Sequence, residues 1–270
     1  MAYHQELEPE VGAFCLNLES NQMELLPSLD GVEEILGYKF KNWRLLEEAF
    51  TDSSFPDKRV SFERLEHVED FALNLLFTKK HYFKYLDLPP SALTRLQATN
   101  VDTEKLACVA IKHELHCFLR HKKPFLKKQI RKFSQAILDY PLHFIGLVDV
   151  PKVLVDIVES LIGTVFIDCN SSIDTVLFKD LFEPIISREM LKIHPVTELY
   201  EVCPKKHLKV KFVDLWRESI VFDVFIDDQL VGRGTCGLKK EIAHNRATKD
   251  ALDNIGRIPS EKDSADESCS

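Results

Sequence analysis

The stretch VLVDIVESLIGTVF, residues 153–166, carries only two charged side chains, Asp156 and Glu159, and is otherwise apolar or small on every side of a helix. A helix apolar nearly all round has no face to offer water and must be wrapped by others. That one element commits the chain to a helical domain large enough to enclose it. Its two acids, three residues apart, share a face. Ionised carboxylates in such a setting cost on the order of several kcal/mol each unless a cation or hydrogen bonds compensate them. Pairing with Lys or Arg would serve a lone acid. Two acids on one face, with another acidic face in the same domain, are better explained by a shared divalent cation.

The other acidic face lies in ERLEHVED, residues 63–70. On an ideal helix Glu63, Glu66 and Asp70 fall within roughly 60° of one another, while Leu65, Val68, Ala72 and Leu75 point away from them toward a core. Glu69 sits about 60° off the acidic stripe and is expected to turn outward. Ligands that are oxygen only suit Mg²⁺ or Mn²⁺ rather than zinc, and such ions serve phosphate chemistry.

From Val32 to about residue 190 the periodicity is helical: two short helices, a long one from residue 61 stopped by Pro89 and Pro90, two more broken at NVDT, the apolar helix after Pro151, and a last one over 173–190. Beyond His194 the period changes to strand-like alternation, with a turn at DDQ, and then returns to helix. The order αβββα over 194–257 predicts a small α+β domain behind an all-α one. Residues 1–31 form an N-terminal extension, and the polar tail 258–270 is expected to be disordered. The seven cysteines are scattered, never as CxxC, so neither a disulfide framework nor a zinc site is indicated. No apolar run approaches bilayer length and no signal or transit peptide pattern opens the chain, so the expected address is nucleus or cytoplasm, away from any membrane. The net charge of −8 excludes a uniformly positive nucleic-acid-binding surface. Charge is local, however. Residues 120–132 hold seven Lys or Arg and no acid, so any polyanion contact should concentrate there, unless the run is simply a solvated helix face.

ERLEHVED followed by FALNLL resembles the ERLEFLGD signature of the ribonuclease III endonucleases. LVDIVESLIGTVFID is similar to that family's second acidic helix, and LTRLQATNVDTEKLA to the helix pair between them. The resemblance covers residues 32–190, and the layout is closest to the plant ribonuclease-three-like proteins. HPVTELYEVCPKK and KKEIAHNRATKDAL resemble the first and last helices of the double-stranded-RNA-binding domain that many members carry. The resemblance implies an all-α endonuclease domain followed by an RNA-binding-like αβββα domain. It implies Glu66, Asp156 and Glu159 as ligands of Mg²⁺, with Mn²⁺ as substitute. Asp70 and Glu159 would act in catalysis, Asp70 by helping to place the attacking water. Glu63, Arg64 and His67 would support the fold and dimer, and Glu198, Lys239, Lys240 and His244 would contact RNA. The implied reaction is hydrolysis of duplex RNA by a homodimer, leaving staggered 5′-phosphate and 3′-hydroxyl ends.

Several positions depart from the family pattern. Glu69 replaces a glycine, and His67 replaces an aromatic that fills a socket in the partner subunit. The loop near DLWRES lacks the Gly-Pro-x-His of the RNA-binding domain, and Lys240-Glu241 stands where a Lys pair is usual. These leave a second reading open: an inactive relative that binds duplex RNA, or pairs with another ribonuclease III-like protein, without cutting.

Overall fold

The computed structural model describes residues 28–56, 62–138, 140, 143–169 and 181–257. Most of the N-terminal extension and the whole 258–270 tail lie outside the described residues. Helices α1 (Asp30–Leu36), α2 (Trp43–Ala49), α3 (Glu63–Lys84), α4 (Pro90–Asn100), α5 (Thr103–Lys112), α6 (Leu126–Ala136) and α7 (Lys152–Cys169) build the first region. Its axis is α7, whose Leu154, Ile157, Val158, Leu161, Ile162 and Val165 are fully buried. It packs mainly against α3 and α5, then α2. Several polar groups inside this core are matched. Ser160 donates to the Ala49 carbonyl at 2.9 Å, and Asp168 accepts the Lys41 and Asn42 amides, each at 2.9 Å, and the Tyr38 hydroxyl at 2.6 Å. Among the described residues no helix is long and apolar enough to cross a membrane, and no disulfide joins the described cysteines.

The crossing of α3 and α7 is close because position 163 is glycine: a Cβ there would stand 2.3 Å from the Leu65 carbonyl oxygen. Alanine would gain about 1 kcal/mol of helix propensity. A backbone oxygen cannot step aside, however, and overpacking costs about 1–3 kcal/mol or more. Gly163→Ala is therefore expected to lower the melting temperature by several degrees in a calorimetric scan, and an unchanged value would mean that the helices separate freely.

Two sequence expectations differ from the structure. Leu75 is exposed, whereas Leu73 and Leu76 join Leu65 and Ala72 in the core. The helix expected over 173–190 is not continuous. Residues 171–180 lie outside the described set, 181–187 are non-helical, and 188–190 form a single 3-10 turn. Pro184 explains the break, since it lacks an N–H and clashes with the preceding turn. Buried Asn100 holds this segment, accepting from the Ile186 amide and donating to its carbonyl, both at 2.9 Å.

The second region is α8 (Pro195–Lys205), β1 (Val210–Leu215), the one-turn α9 (Trp216–Ser219), β2 (Val221–Ile226), β3 (Gln229–Thr235) and α10 (Lys240–Asn254). The strands form an antiparallel sheet in the order β1-β2-β3. Asp227 and Asp228, both at positive φ, make the two-residue β2–β3 turn. Gly232 and Gly234 of β3 let α10 rest directly on the sheet, because a Cβ at either would meet a carbonyl of α10 at 2.3 or 2.1 Å. Loop 143–149 seats this region on the first. Asn245 and Arg246 of α10 donate to the carbonyls of Gly146 and Leu147 at 3.1 and 2.9 Å. Glu104 fixes the loop by accepting the amides of Phe144, Ile145 and Gly146.

Candidate metal centre

Where α3 meets α7, oxygens of Glu66, Asp156 and Glu159 lie within 4.8 Å of one another. Two locked helices set this spacing: Gly163 allows the approach, and the apolar stripe of α3 sets its rotation. Asp156 is buried, while Glu66 and Glu159 are half-buried. Burial raises all three carboxyl pKa values, and mutual repulsion adds to it at Glu66 and Glu159; Glu159 is pushed up to about 7. One Glu66 oxygen is buried with no hydrogen-bond partner. An oxygen-only set that repels itself and leaves a buried acceptor unused fits a hard divalent cation.

The cations already present are few. Lys152, one turn before Asp156, pairs with that carboxylate and stands 3.9 Å from Glu66. Its side chain is 78% exposed, so it can withdraw to water as another cation enters. Lys123 pairs at 2.5 Å with Asp52, which is almost wholly buried, and Lys123 lies close enough to draw down the pKa values of Glu66 and Asp156. Sequence reasoning singled out neither Lys152 nor the Asp52–Lys123 pair. Lys152 stands four residues before Asp156, a readable helical spacing. Asp52 and Lys123 are brought together by the bridge between Thr51 and Arg120 and by the Lys122 amide, which donates to the Ser54 hydroxyl at 3.0 Å.

Glu69 corrects the expectation that it turns outward. It is 3% exposed. Measured from Leu65 rather than from the acids, position 69 falls in phase with Ala72 and Leu76, in the middle of the core stripe. Burial first, then repulsion from Glu159, Asp70 and Glu66, pushes its pKa up to about 8. Asp70 is exposed and stands outside the group of three. Glu63, Arg64 and His67 are exposed as well, and the His67 ring lies edge-on to Phe71 at 6.2 Å.

In the second region the candidate RNA contacts are scattered or engaged. Glu198 is exposed on α8. Lys239 pairs with Asp149 at 2.8 Å and Lys240 with Asp214. His244 packs against the Phe212 and Phe222 rings, with centroids 4.8 and 4.5 Å away, and burial lowers its pKa. That placement differs from a phosphate-contacting role: the helix turns His244 onto the sheet.

The Ribonuclease III domain family matches residues 63–170. Over 230 residues the chain is 48% identical to Ribonuclease 3-like protein 3 of Oryza sativa subsp. japonica, covering 83% of this chain and 77% of that protein. Over 248 residues it is 38% identical to Ribonuclease 3-like protein 2 of Arabidopsis thaliana, covering 88% and 62% respectively. Over 261 residues it is 36% identical to Endoribonuclease Dicer homolog 1 of Arabidopsis thaliana, covering 92% of this chain and 14% of that one.

Proposed function

Because the chain belongs to the ribonuclease III family, we propose that it is a divalent-metal-dependent endoribonuclease that cuts double-stranded RNA as a homodimer. The observation that carries the reading is the convergence of Glu66, Asp156 and Glu159 within 4.8 Å, on two helices that packing holds in place. These three would hold Mg²⁺, or Mn²⁺ in its place. A bound ion of this kind polarises the phosphoryl group and lowers the pKa of an attacking water. Asp70, exposed at the end of the acidic stripe, would orient that water. Lys152 leaves Asp156 for solvent. Domain limits of 32–190 for the endonuclease and 194–257 for the αβββα unit belong to the same proposal.

The test is incubation of the full chain with a perfect RNA duplex in Mg²⁺ or in EDTA. Staggered products with 5′-phosphate and 3′-hydroxyl ends, formed only with the metal, support the reading. The Lys152–Asp156 pair favours the second reading, an inactive relative that binds duplex RNA or another ribonuclease III-like subunit. Intact RNA after incubation with folded, RNA-bound protein would decide for it.

The homodimer is supported by an apolar stripe on the outer side of α3. Phe71, Leu75 and Tyr82 follow one another at helical spacing and are 73%, 62% and 65% exposed. Such a patch is costly to leave in water and suits a second copy of the same helix. Phe71→Asp with Leu75→Asp is expected to convert the dimer to monomer in sedimentation velocity, and an unchanged dimer would place the interface elsewhere.

A further inference from the structure

We propose that the outer face of α6 is the surface that holds the phosphate backbone of duplex RNA and leads it toward Glu66, Asp156 and Glu159. The inference rests on the reading of the chain as a protein of duplex RNA, and it moves the main RNA contact away from the C-terminal domain.

The last helix of the C-terminal region is poorly equipped for that contact. Residues 194–256 carry ten Lys or Arg and ten Asp or Glu, so the region is neutral. The cations of α10 are engaged. Lys239 holds Asp149 and Lys240 holds Asp214. Lys249 holds Asp253 at 2.5 Å, and Arg246 donates to the carbonyls of Leu147 and Thr235. A phosphate contact on α10 would first have to break an existing one, whereas Lys205, Lys206, Lys209, Lys211 and Arg217 are exposed elsewhere in the region.

Helix α6 presents the opposite case. Leu126, Ile130 and Phe133 are buried in the endonuclease core and fix the helix. Lys127, Lys128, Arg131 and Lys132 are all exposed on the other side, spread over about 140° of the helix surface. No ion pair among the described residues involves Lys128, Arg131 or Lys132. In a chain of net charge −8, such a face stands apart as complementary to a polyanion.

A solvated amphipathic helix could show the same charges, but its position argues for more. Just before α6, Lys123 reaches Asp52 and acts on Glu66 and Asp156. Just after it, Ala136 and Tyr140 line a cleft shared with Arg246 and Lys249 of α10. The basic face is thus a patch about 8 Å long on the first half of α6, on a segment that starts beside the acidic site and ends beside the C-terminal domain. Duplex RNA is read by its shape and backbone, one cation to one phosphate, and a row of exposed cations on a helix fixed in the endonuclease core supplies that.

Binding of a labelled RNA duplex by the full chain, in EDTA so that nothing is cut, tests this across a salt series. The joint variant Lys127→Glu, Lys128→Glu, Arg131→Glu and Lys132→Glu is expected to lose at least about tenfold in affinity and to flatten the salt slope by about three to four units. The joint variant Lys239→Ala and Lys240→Ala is expected to lose less than about threefold. All substituted α6 positions are exposed, and circular dichroism verifies the fold. The four corresponding Gln substitutions should give an intermediate loss. Wild-type affinity in the Glu variant, a larger loss in the α10 variant, or no duplex binding by the unaltered chain would each overturn the inference. Cleavage in Mg²⁺ is read separately. A chain that binds through α6 but does not cut sinks the catalytic reading alone, and one whose α6 variant cuts with unchanged KM sinks this inference alone.

Discussion

Asp156→Ala is expected to remove metal-dependent cleavage by more than about a hundredfold, since loss of even an outer-shell partner of a metal costs 10–100-fold. The side chain is buried, its oxygens face Glu66 and Glu159, and no other described carboxylate joins that group. A loss of activity alone would be ambiguous, because a misfolded chain is also inactive. Here the expected stability change separates the two. Burial holds the Asp156 carboxyl above its ordinary pKa, so its ionised form is disfavoured in the fold. Its partner Lys152 is mostly exposed and loses little by returning to water. The variant should therefore melt at the same temperature as the parent or higher in EDTA, while failing to gain stability from Mg²⁺. An inactive variant that melts well below the parent would assign Asp156 a structural task instead. An active variant would refute the metal centre.

Much of this was legible in the sequence, for identifiable reasons. Helix α7 could be read in full because its pattern admits one environment, and Asp156 and Glu159 stood out within it. The acidic stripe of α3 was legible for the same reason of period. Glu69 is ambiguous by period alone: its angle measured from the acids puts it at the edge of their stripe, and measured from Leu65, Ala72 and Leu76 it falls in the core, where the structure has it. The Asp52–Lys123 pair had no local signal, since a parallel bridge between distant segments creates it. The engagement of Lys239 with Asp149 likewise depends on how the second region docks on loop 143–149. Short-range periodicity can assign a residue to a face, but it cannot say which distant group waits there.

Without metal, stability is expected to fall as pH rises from about 5 to about 8, and Mg²⁺ or Mn²⁺ should reverse the fall. Glu69 and Glu159 ordinarily titrate at 4.5, and the fold pushes them to about 8 and about 7. For an acid raised in this way the folded state keeps its proton longer than the unfolded chain does. The contribution of these two groups is thus highest below pH 4.5, declines through the interval up to the folded values, and levels off above about 8. A divalent cation favours the ionised carboxylates, so its binding releases protons, and its affinity rises over the same interval. At a hundred times its dissociation constant it adds about 2.7 kcal/mol. Thermal melts between about pH 5 and pH 9, with metal or EDTA, measure both effects. Glu69→Gln keeps the shape of the side chain and removes the larger titration, so its EDTA profile should be flatter and its melting temperature above pH 8 higher than the parent's. A parent profile that rises toward pH 8 in EDTA, or a Glu69→Gln profile parallel to it, would mean that position 69 opens to water and that the core stripe of α3 does not hold it.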